Sequence, residues 1–131
     1  MNDSATTHNV TYIVSDKYML IRIKRKNVLK TKIRGFSEKV NSVLGELDED
    51  NRSLGAIAVG LALYRSRSPE RYLDIVRKAF FDPNLSRLLF EVAVYYVNMH
   101  SAIRNLNSKL ATLTRHMLTV LVNSKTGDTG H

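Results

Sequence analysis

Cysteine and tryptophan are both missing from the 131 residues. Without a thiol the chain can build neither a disulfide framework nor a thiolate metal site, an absence that suits a reducing or a very hot environment. Without tryptophan, and with only 8% aromatic residues, the interior must be made of Leu, Ile, Val and Ala. Long apolar runs are missing too. The longest stretch of apolar residues and glycine, LGAIAVGLALY at 54–64, falls well short of the ~20 residues a membrane-spanning helix needs. The opening MNDSATTHNV is polar and has no apolar stretch, so no secretory signal peptide is expected.

Signatures of catalysis are equally scarce. The six glycines, at positions 35, 45, 55, 60, 127 and 130, form no GxxxxGK phosphate loop. His8, His100, His116 and His131 include no pair at the three- or four-residue spacing of a helical metal site, and no GxSxG elbow or paired-carboxylate spacing stands out. The expectation is a protein that is not an enzyme and uses neither cofactor nor metal.

What the chain does have is positive charge, gathered in one place. Lys and Arg number 20 against 12 Asp and Glu, for a net charge of +8. Nine of those cations, Lys17, Arg22, Lys24, Arg25, Lys26, Lys30, Lys32, Arg34 and Lys39, fall in residues 16–39 beside only two acids, Asp16 and Glu38. From Val40 onward eleven basic residues face nine acidic ones, an ordinary solvated balance. Clustered like charges with little local relief suit a polyanion, because neutralising phosphates releases condensed counterions. These nine residues are the candidate nucleic-acid contacts, with DNA favoured over RNA as the partner.

Turn and cap signals divide the remainder into helical pieces. Ser68 before Pro69 and Asp82 before Pro83 each read as an N-cap followed by proline at the first helical position, where its missing N–H costs nothing. Helices are therefore expected from Pro69 to about 81 and from Pro83 onward. In the second, Leu85, Leu89, Val92, Tyr96, Met99, Ile103, Leu106, Leu110, Leu113, Met117 and Val120 keep a heptad seam, as one long helix or two collinear ones broken near 105–108. Upstream, Ser53 is placed to cap a helix over 54–66, whose Gly55 and Gly60 ask for a close neighbour in a bundle or between subunits. Leu29, Ile33, Phe36, Val40, Val43, Leu44 and Leu47 follow a helical stripe over 28–47, whereas residues 18–27 fit strand and helix equally. The expected fold class is all-α: a helical bundle over 28–123, a basic N-terminal arm over 1–27, extended or helical with a flexible start, and a flexible tail over 124–131.

Taken together, the arm IRIKRKNVLKTKIR at 21–34, the small-residue helix AIAVGLALY at 56–64 and the helix from Pro83 to about Val122 make the layout similar to the coat proteins of filamentous and rod-shaped archaeal viruses. That resemblance implies a virion or cytoplasmic location and many copies of the chain coating duplex DNA, with apolar surfaces of the body making contacts between copies. A second pattern is similar to ribbon-helix-helix regulators, with YMLIRIK as the groove strand, Arg22, Lys24 and Lys26 as its tips, and 28–47 and 54–66 as its helices. A small helical subunit of an RNA-guided complex would use the same basic face.

Overall fold

Residues 10–32 hold β-branched Val10, Thr11, Ile13, Val14, Ile21, Ile23, Val28 and Thr31, side chains that suit strands. A computed structural model of the chain describes residues 9–64, 66–102 and 119. Its first part is a three-stranded antiparallel sheet, β1 (Val10–Val14), β2 (Tyr18–Ile23) and β3 (Lys26–Lys32), in the order β1-β2-β3. Four helices follow: α1 (Ser37–Gly45), α2 (Glu49–Leu63), α3 (Pro69–Phe80) and α4 (Pro83–Ala102). The class is α+β, which overturns the expected all-α bundle. Residues 21–34 are no arm, the expected helix over 28–47 is β3 and α1 instead, and a boundary after residue 27 falls inside β3.

Val10, Tyr12, Val14, Met19, Ile21, Ile23, Leu29 and Thr31 form the face of the sheet turned to the helices. Against it lies α2, the hub of the fold, which packs on all three strands and on the other three helices. Every residue of α2 from Gly55 to Leu63 is buried. A Cβ at Gly60 would stand 2.7 Å from Ile21 Cδ1 and 2.9 Å from Leu29 Cδ2, so the glycine is what lets the helix settle on the sheet. At Gly55 the close neighbour is Leu47. Both close approaches are to side chains of this same chain, made by the sheet and by the α1–α2 junction.

Pro69 and Pro83 do open helices, although the caps differ. Asp82 Oδ1 accepts the N–H groups of Asn84 at 3.0 Å and Leu85 at 3.2 Å, satisfying two otherwise orphaned donors of α4. Ser68 holds the N-cap position of α3, yet its hydroxyl makes no capping bond. Ser53 lies within α2, not before it, and its hydroxyl donates to Val10 O at 3.3 Å, tying the helix to β1. Along α4 the first part of the heptad seam turns inward: Leu89, Val92, Tyr96 and Met99 are buried and Leu85 is half-buried. The seam from Ile103 onward, the break near 105–108 and the tail over 124–131 lie outside the described residues.

Candidate nucleic-acid interface

The sheet has a second face, covered by no element among the described residues. Cross-strand pairing arranges it in rows: Thr11, Arg22 and Asn27; Ile13, Leu20 and Lys30; Tyr18 and Lys32. Three cations thus stand on one flat surface, Arg22 in the central strand and Lys30 and Lys32 on β3. Lys30 Nζ lies 4.4 Å from the centre of the Tyr18 ring, a cation–π contact that holds the ammonium over the face. Ile13 is 47% exposed beside Leu20, supplying apolar surface between the charges.

The β2–β3 hairpin ends in a two-residue turn made by Lys24 and Arg25, with Lys26 next in line and all three exposed. Both turn residues have positive φ, 52° and 68°. A turn with two left-handed positions matches the twist of the strands it joins, and asparagine followed by glycine is its natural occupant. Each L-residue with a Cβ held there costs about 1–2 kcal/mol. Placing Lys and Arg at these positions puts two charges at the tip in spite of that strain.

At the other end of the sheet, Lys17 sits in the β1–β2 turn, where its carbonyl accepts the Ile33 N–H at 2.9 Å, and Arg34 follows β3. Both are exposed. Eight of the nine candidate cations therefore lie on the sheet or at its ends. Lys39 is set apart on α1: Asp74 of α3 lies 2.8 Å from its Nζ and Glu70 3.8 Å. The hydrogen bond to Asp74 holds this ammonium above its ordinary range. Arg77 is similarly taken up by Glu46 at 2.7 Å. Among the described residues no carboxylate forms an ion pair with Lys17, Arg22, Lys24, Arg25, Lys26, Lys30, Lys32 or Arg34.

No family model, curated protein or solved structure matches the chain. Residues 10–32 carry seven cations and one carboxylate, Asp16, on a rigid frame. At ~3.3 Å per residue the seven residues of β3 span about 20 Å, and two paired strands fit a groove roughly 12 Å wide. Two members of this face went unrecognised in the sequence, Tyr18 and Asn27. Their only signal was alternation, since Tyr18, Leu20 and Arg22 share one side of β2.

Among the described residues no group of three or more His, Cys, Asp or Glu gathers in one place, and no helix is long and apolar enough to cross a membrane. β2 is the central strand, paired on both sides within its own chain. A ribbon-helix-helix arrangement needs that strand to pair with its copy in a second subunit, and here both of its edges are taken.

Proposed function

We propose that the protein binds nucleic acid, duplex DNA first among its forms, and does so without catalysis. The β2–β3 ribbon and the outer face of the sheet enter or straddle a groove, while Lys17, Lys24, Arg25, Lys26, Lys30, Lys32 and Arg34 meet the phosphates. Most of the affinity is then electrostatic and independent of sequence. One observation carries this reading: seven cations share a three-stranded sheet with a single carboxylate, and no described residue neutralises them. Acids elsewhere pair with Lys39 and Arg77, and from Val40 onward nine acidic residues stand against eleven basic ones, so the excess of positive charge is concentrated on the sheet.

Assembly of many copies along the nucleic acid is a second reading. It is favoured by apolar side chains left in solvent on the helical layer, Phe81 at 60% exposed, Tyr95 at 57% and Leu88 at 39%. Electron microscopy of the protein on long random-sequence DNA tests it: regular filaments support it, and isolated bound particles refute it.

The binding reading is tested by moving the charge deficit. One variant replaces Arg22, Lys24, Arg25 and Lys30 with alanine; a control replaces four exposed cations away from the sheet, Arg67 between α2 and α3, Arg71 and Lys78 of α3, and Arg87 of α4. Both lose four charges. Fluorescence anisotropy on a labelled mixed-sequence duplex is expected to show a hundredfold or greater loss for the first and a small one for the control. Equal losses would mean that net charge alone acts, and the sheet would have no special role.

A further inference from the structure

The register of the β2–β3 ribbon changes between Ile21 and Arg22: Ile21 pairs with Leu29, but Arg22 pairs with Asn27, so Val28 is an extra residue in β3. Bulges of this kind re-aim side chains. In an unbroken ladder Val28 would face Arg22; with the bulge, Asn27 stands there and accepts the Arg22 Nε–H at 2.8 Å through its Oδ1. The displaced Val28 turns its carbonyl to α4, where the Tyr96 hydroxyl donates to it at 3.0 Å. Tyr96 is only 1% exposed, so the bulge is anchored in the core.

The consequence falls on the guanidinium. With Nε engaged by Asn27, rotation of the Arg22 guanidinium is restricted, and its two terminal nitrogens, which make no hydrogen bond to a described residue, keep a parallel pair of donors available. The row that contains it, Thr11, Arg22 and Asn27, is exposed on the outer face and has no lysine. Lys24 and Arg25 at the tip and Lys30 and Lys32 on β3 flank this row at one end and along one side, in places that reach a duplex backbone when β2 lies in the groove. A paired donor held at the centre suits a base edge, and guanine, with O6 and N7 as adjacent acceptors, is the base it fits.

Resting on the nucleic-acid reading above, we infer that Arg22 contacts guanine in the major groove, with Asn27 as the positioning residue that orients it and the Val28 bulge as the feature that brings the two together. Sequence preference is then added locally to an otherwise electrostatic interface.

The test uses the full chain. A random duplex pool is enriched on the wild-type protein, and the preferred duplex is resynthesised with 7-deazaguanine, which keeps Watson–Crick pairing but replaces the N7 acceptor with C–H. Enrichment of a guanine is expected, together with a roughly tenfold loss of affinity on its 7-deaza form. Arg22→Ala should bind both duplexes alike, and Asn27→Ala should discriminate less than wild type. Lys32→Ala should weaken binding to both by the same factor. Guanine-independent binding by wild type, or discrimination retained in Arg22→Ala, overturns this inference and leaves the electrostatic reading standing. Failure of wild type to bind any duplex overturns both.

Discussion

Lys24 and Arg25 hold backbone angles that an asparagine and a glycine would hold without strain. Replacing them as Lys24→Asn with Arg25→Gly should therefore raise folding stability by about 1–2 kcal/mol, seen as a higher denaturant midpoint at unchanged slope. The same double change removes two charges from the hairpin tip and should weaken binding to duplex DNA. A variant that is both less stable and equally tight would show that the turn is neither strained nor part of the interface. Tyr96 gives a second test at this scale. Burial pushes its hydroxyl up to about 12, from the ordinary value of 10. An acid whose folded value is raised contributes stability that is fully present below about pH 10, because both states then hold the proton. As pH rises from about 10 toward 12 the unfolded chain ionises first, and that contribution drains away. Wild type should lose on the order of 2 kcal/mol across this window beyond what Tyr96→Phe loses. At neutral pH, Tyr96→Phe should cost about 1 kcal/mol for the missing bond to Val28.

At the scale of elements, close packing of α2 on the sheet is the feature most sensitive to a single change. Gly60→Val would drive a branched side chain into Ile21 and Leu29, and a loss of about 2–3 kcal/mol is expected in chemical denaturation. The starts of α3 and α4 were legible because proline at a first helical position is a local signal with a local cause. The sheet was not, for three physical reasons. Thr31 is 3% exposed and holds an inward strand position, its hydroxyl donating to Gly60 O at 3.4 Å, so a polar residue hides the alternation of Leu29 and Ile33. The bulge at Val28 shifts the period within β3. The β2–β3 turn carries Lys and Arg where Asn and Gly would have announced a hairpin. With those cues gone, Leu29, Ile33, Phe36 and Val40 were left to suggest a helix. The charge cluster was more legible than the fold, since it shows in any conformation. What the linear chain could not show was how cations separate into face, tip and ends, that Lys39 finds Asp74, or that Asn27 comes to stand beside Arg22.

For the whole molecule the decisive quantity is how charge is distributed between two layers. The helical layer contributes a core and nearly equal numbers of acidic and basic residues; the sheet contributes a surface where like charges stand together. On the proposed function, affinity for a polyphosphate would be steeply sensitive to ionic strength, since each neutralised phosphate releases condensed cations. The most direct measurement is the binding constant for a mixed-sequence duplex over a range of salt, for wild type and for the variant lacking Arg22, Lys24, Arg25 and Lys30. If about six phosphates are engaged, the logarithm of affinity should fall against the logarithm of salt with a slope near −5, and the variant, which loses the phosphate contacts of Lys24, Arg25 and Lys30, should have a slope shallower by roughly three units. A complex whose affinity barely responds to salt, or a variant with the wild-type slope, would contradict the claim that this sheet is a phosphate-binding face.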